Sequence, residues 1–138
     1  MSQQGPLIVI EDDPDDQEMI KRILSKMELT NEQKFFADGD QALKYLESAS
    51  EQPFLIISDI NMPLMNGLDL KKHIQANETL RKKCYPFVFL TTTASPMQIA
   101  QAYTLAIEGF FAKGQSYDEL KEVLKTIITY WKQARHPL

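Results

Sequence analysis

Short unbroken apolar runs alternate along the chain with stretches whose apolar residues return every three or four positions. The runs at 7–10 (LIVI), 54–58 (FLIIS) and 87–91 (FVFLT) are built of branched and aromatic residues without polar alternation. A strand with one wet face alternates apolar and polar residues, so these runs predict strands of a parallel sheet covered on both faces. Two shorter runs, 34–37 (KFFA) before Asp38 and Gly39 and 109–112 (GFFA) before Lys113 and Gly114, are bounded by turn residues and bring the expected strands to five.

Helical spacing is clearest in Met19, Ile20, Ile23, Leu24 and Met27, and in Leu120, Val123, Leu124, Ile127, Ile128 and Trp131. Shorter stripes cover 42–46, 68–74 and 99–107. Strand and helix therefore alternate throughout, which predicts an α/β fold with helices on both faces of a doubly wound sheet. Helix starts are marked as well. Asp13, just before Pro14, reads as an N-cap, with Asp15 and Asp16 favouring the positive end of the helix dipole. Ser95 with Gln98, and Ser116 with Glu119, read as capping boxes. Pro63 and Gly67 turn the chain from the third strand into the third helix.

Composition narrows the picture. A chain of 138 residues, 43% hydrophobic, fits one domain over 1–138 with no output domain after it. A net charge of −4 with scattered Lys and Arg argues against nucleic acid. The start MSQQGPLIVIEDD is no secretory leader, and no stretch nears the roughly 20 apolar residues of a membrane span, so a cytoplasmic protein is expected. Cys84 is the single cysteine and reads as a small buried hydrophobe. His73 and His136 are isolated and form no ligand cluster. Tyr130 and Trp131 admit two readings: a homodimer or partner contact if exposed, or a continuation of the last helix's core stripe.

Ligands of open parallel sheets bind beyond the carboxyl ends of the strands. The polar residues there are Glu11 and Asp12 after the first strand, Asp59 after the third, Thr91 after the fourth and Lys113 after the fifth. Singly each passes for a turn, strand or solvated residue. Together they form three acids, a hydroxyl and a cation on one edge. Three close carboxylates repel unless a cation neutralises them. Magnesium suits the set, since it takes oxygen ligands and leaves room for water and phosphate oxygens; calcium is the alternative, but its usual loop is missing. Asp59 can then act as nucleophile toward a phosphoryl group, with Thr91 and Lys113 meeting the charge on its oxygens.

Over nearly its whole length the chain resembles the receiver domains of two-component response regulators, of the single-domain chemotaxis-regulator type. LIVIEDDP, ADGDQAL, ISDINMPLMNG, FVFLTTTA and GFFAKG carry the resemblance. It implies a flavodoxin-like five-stranded sheet in the order 2-1-3-4-5. It also implies Asp59 as phosphoacceptor, Glu11 and Asp12 as the acidic pair, Thr91 as switch hydroxyl and Lys113 as the phosphate-pairing lysine. The backbone carbonyl of Asn61 would complete the shell of Mg2+, or of Mn2+ in its place, and Phe110 stands where the family keeps an aromatic switch. The implied partners are a histidine kinase or histidine phosphotransfer protein upstream and a downstream protein target; the implied role is signalling, not enzymatic turnover. Receivers usually carry a cis-linked proline after the lysine. Gly114 stands there in this chain, and a cis bond before a residue other than proline costs roughly 2.5 to 4 kcal/mol, so a trans bond or a looser loop held by glycine's freedom is expected. Residues 77–85 look longer and more polar than a minimal receiver needs, as a surface elaboration would.

Rival readings fit less well. A phosphatase of the haloacid dehalogenase type calls for DxDxT, and EDDPD lacks the threonine; a flavodoxin calls for a Ser/Thr/Gly-rich phosphate loop after the first strand. A receiver degenerated to a scaffold would have lost some of the five site residues, and all five are present.

Overall fold

The computed structural model describes residues 2–134, so His136 lies outside the described residues. Five strands, β1 (Leu7–Ile10), β2 (Gln33–Phe36), β3 (Leu55–Ser58), β4 (Phe87–Thr91) and β5 (Gly109–Ala112), form one sheet in the order β2-β1-β3-β4-β5. All four strand pairs are parallel. Around them lie α1 (Pro14–Ser25), α2 (Gly39–Ser48), α3 (Gly67–Ala76), α4 (Glu78–Lys83), α5 (Pro96–Thr104) and α6 (Tyr117–Gln133).

Alternation within the buried strands divides the core in two. Ile8, Ile10, Ile56, Phe87 and Phe89 point to one face, where Leu43, Leu46, Leu70 and Ile74 of α2 and α3 meet them. Leu7, Val9, Leu55, Ile57, Val88 and Leu90 point to the other, against Ile20 and Leu24 of α1 and Leu124, Ile127 and Ile128 of α6. Trp131 belongs to this second cluster and is buried, which favours the core-stripe reading, while Tyr130 beside it is exposed.

The expected strand limits hold within a residue, whereas the stripe at 99–107 runs past α5, which ends at Thr104. β2 runs one residue earlier than KFFA, and β3 begins at Leu55, with Phe54 a core residue just ahead of the strand. Asp13 caps α1, accepting from the backbone N–H groups of Asp15 and Asp16 at 2.8 and 3.2 Å. Ser95 and Gln98 form the full capping box. At Ser116 only half of the box forms: Ser116 accepts from the Glu119 N–H, but the Glu119 carboxylate turns to the N–H of Gln115.

Residues 77–85 differ from the expected surface elaboration. Asn77 caps the short helix α4, whose Leu80 is buried along with Cys84 beyond its end. Lys83 Nζ donates to the carbonyls of Leu46 and Ala49 at 2.5 and 2.7 Å, satisfying free acceptors at the end of α2. The expected polar excursion is thus a brace. Among the described residues the cis peptide is Tyr85–Pro86, so Lys113–Gly114 is trans as expected, with Gly114 at φ +80°.

Candidate functional site

The chain leaves β1 toward β2 on one side and reaches β3 on the other, so strand order reverses between β1 and β3. Glu11 and Asp12 follow β1, and Asp59 follows β3, directly across that crevice. The Asp59 N–H donates to the Ile10 carbonyl at 2.9 Å, tying the two strand ends together. Glu11, Asp12 and Asp59 each offer a carboxylate oxygen, and these oxygens lie within 4.8 Å of one another.

Gly67 makes the crevice tight. A Cβ there would stand 2.2 Å from the Asp59 carbonyl oxygen and 2.8 Å from Cε1 of Phe89. Only glycine lets the first turn of α3 close against the end of β3. Asn66 caps that helix in a box with Asp69, and the Gly67 N–H donates to the Ile60 carbonyl at 2.8 Å. The turn after Asp59 is therefore pinned at both ends.

Lys113 comes from the end of β5, its N–H donating to the Thr91 carbonyl at 3.0 Å. Its ammonium donates to Glu11, to Asp16 at 2.8 Å and to Asp59 at 3.0 Å. Lys113 is 5% exposed and Asp59 8%, so this contact is screened from bulk water. Burial works against the Lys113 charge, but the hydrogen bonds to Asp16 and Glu11 and the charges of Glu11 and Asp59 outweigh it and raise its pKa. Burial pushes the Glu11 carboxyl up to about 7, Lys113 pulls it down, and the Asp59 charge adds to the rise. The remaining oxygens are held as well: Asp59 Oδ1 accepts from the Ile60 N–H at 2.7 Å, and Glu11 Oε2 from the Asp13 N–H at 3.1 Å.

The other expected residues lie around this centre. Thr91 is the last residue of β4, buried, its hydroxyl donating to the Thr93 carbonyl at 3.4 Å. Asn61 is exposed and its amide donates to the same carbonyl at 3.2 Å. Phe110 on β5 is half-buried, its ring centroid 5.9 Å from that of Phe89. Glu11, Asp12, Asp59 and Lys113 are thus drawn together, with Thr91, Asn61 and Phe110 flanking them.

Asp16 is the residue that sequence reasoning missed. Its place in the first turn of a helix gave it a sufficient role at the dipole. The available signal was its register: it is the third residue of α1, and α1 begins at the same sheet edge as Glu11. Beside it opens a cleft of about 480 Å³ lined by Asp16, Thr92, Lys113, Gln115 and Tyr117.

Comparison with known proteins places the chain in a family. The model of the response regulator receiver domain family matches residues 7–125. Chemotaxis protein CheY-3 of Vibrio cholerae is 31% identical over 121 residues, covering 88% of this chain and 89% of that protein. The solved phosphorylated cyanobacterial phytochrome response regulator RcpA superposes with a TM-score of 0.87 at 24% identity, covering 99% of this chain and all of that one. The Mn2+-bound form of response regulator Rcp1 superposes at 0.85 with 23% identity, over 98% and 99% of the two chains.

Proposed function

This chain belongs to the response regulator receiver domain family of two-component systems, and we propose that it accepts a phosphoryl group on Asp59 from a histidine kinase or histidine phosphotransfer protein and thereby switches its binding to a downstream protein. The observation that carries this reading is the Lys113 ammonium 3.0 Å from the Asp59 carboxylate, at a sheet edge where Glu11 and Asp12 stand beside it.

An oxygen of Asp59 forms a bond to phosphorus as the bond from phosphorus to the donor imidazole nitrogen breaks. The electron pair stays on that nitrogen, and Asp59 becomes an acyl phosphate. Water attacking phosphorus later releases inorganic phosphate and restores the carboxylate. Lys113 is already beside the acceptor oxygen and pairs with a phosphoryl oxygen without a long excursion. The Thr91 hydroxyl, held at the end of β4, leaves the Thr93 carbonyl to donate to another. Glu11, Asp12, Asp59 and the Asn61 carbonyl would hold Mg2+, or Mn2+ in its place; a three-oxygen donor set this close fits a hard divalent ion. The Mn2+-bound form of Rcp1, a protein of the same fold, supports that assignment. Such an ion, when bound, supplies positive charge to the oxygens of the transferring group.

Drawing Thr91 inward frees space next to β4 into which Phe110 moves. The surface of α5, β5 and α6 then presents a second packing to the target. The switch is checked by adding beryllofluoride with magnesium and following the Phe110 ring signals by NMR; unchanged signals would sink it. The phosphoacceptor is checked by intact mass after incubation with magnesium and acetyl phosphate. A single phosphoryl adduct is expected on the wild type and none on Asp59→Asn. Phosphate release without an adduct would favour a phosphatase instead.

A further inference from the structure

We propose that Asp16 is a positioning residue that keeps the Lys113 ammonium at the phosphorylation site whichever ligands Glu11 and Asp59 take up. An ammonium has three N–H donors, and those of Lys113 go to Glu11, Asp16 and Asp59. Two of these acceptors belong to the carboxylate cluster itself. If the Asp59 oxygen that touches Lys113, Oδ2, bonds phosphorus or an ion, the lysine loses it, and Glu11 shares its carboxylate with any ion the cluster holds. Asp16 stands outside the cluster, so its hold on Lys113 survives both events.

Two features make that hold necessary and effective. Gly114, at φ +80°, follows Lys113, so no proline ring stiffens the backbone beyond the lysine, and its flexible four-carbon stem is aimed through the contacts of its ammonium. Asp16 itself is rigidly placed, since its N–H is bound by the Asp13 cap at 3.2 Å and α1 is packed into the core through Ile20, Ile23 and Leu24. Once Glu11 and Asp59 take up other ligands, an ammonium without Asp16 has the open cleft lined by Thr92 and Gln115 to turn into.

The proposal rests on Asp59 being the phosphoacceptor, and the test separates the two. Asp16→Ala is compared with Asp15→Ala, which removes an equivalent charge from the same helix end without touching Lys113. The expected result is that Asp16→Ala takes up phosphoryl from acetyl phosphate with magnesium roughly tenfold more slowly than wild type, a loss in the range of misplaced catalytic groups, while Asp15→Ala matches wild type. The Lys113 ammonium signal, read by 15N NMR without metal or donor, should shift or broaden in Asp16→Ala alone. Equal uptake rates in the two variants, or an unmoved Lys113 signal, would overturn the role of Asp16. Failure of the wild type to gain an adduct would overturn the phosphoacceptor assignment instead, and the metal-free Lys113 signal still decides whether Asp16 holds the lysine.

Discussion

Lys71 carries an ammonium into an apolar wall. It lies on α3, 3% exposed, with Nζ 5.2 Å from the centroid of the Phe87 ring. Burial lowers its pKa, and the charge of Glu108 only partly opposes this. A base whose folded pKa lies below its unfolded one binds fewer protons when folded, so stability rises with pH across that interval. Lys71→Met should therefore stabilise the fold at neutral pH by about 1 kcal/mol, read as a higher urea midpoint, and flatten this rise, because the cost of desolvating the charge disappears. A lower midpoint would mean that Glu108 and Phe87 more than compensate. Nearby Cys84 is buried, and burial pushes its thiol up to about 11 despite Lys83 and Lys71. At pH 8 only about one such thiol in a thousand is the reactive thiolate. Iodoacetamide should leave the native protein almost unlabelled and label it fully in urea, read by intact mass.

At the scale of elements, two contacts stand out, one at the site and one at the opposite edge of the sheet. The first is α3 against the end of β3, where Gly67 allows a separation no side chain permits. Both atoms a Cβ would meet first, the Asp59 carbonyl oxygen and Cε1 of Phe89, belong to tightly packed groups. Gly67→Ala should destabilise the fold by about 3 kcal/mol, the upper range for overpacking, and a urea midpoint unchanged from wild type would refute the tight fit. The second is α4 against α2. Lys83→Ala should cost about 1 kcal/mol through the loss of two carbonyl contacts. Faster amide exchange at the end of α2 than at its start would locate the loss there.

For the whole molecule, the dominant feature is one sheet edge holding three acids within 4.8 Å and a single buried lysine among them. An ion that binds only the folded state stabilises by mass action, about 2.7 kcal/mol at a hundred times its dissociation constant. Magnesium should therefore raise the melting temperature, excess EDTA should reverse the rise, and Asp12→Asn should shrink it; equal shifts in wild type and variant would exclude Asp12 from the ion's shell. Much of this arrangement was legible in the sequence, because strand runs, helical stripes and caps are local patterns. Leu7–Ile10 and Phe87–Thr91 needed no tertiary information, and Asp13 and Ser95 identified themselves through the residues three or fewer positions away. The order of alternating elements also set which residues reach one edge. What it left open were matters of contact between distant segments. Lys113 and Asp16 are 97 positions apart, and nothing local distinguishes a dipole aspartate from one holding a lysine. Residues 77–85 are polar in sequence because their buried members, Leu80 and Cys84, are too few to form a stripe. Trp131 fitted either reading until α6 was seen packed on the sheet. The sequence by itself thus determined the five strands, the helices other than α4, and the acids at the crevice. Only the tertiary structure decided which of those acids the lysine engages, because that depends on distances and burial between strands that no local pattern encodes.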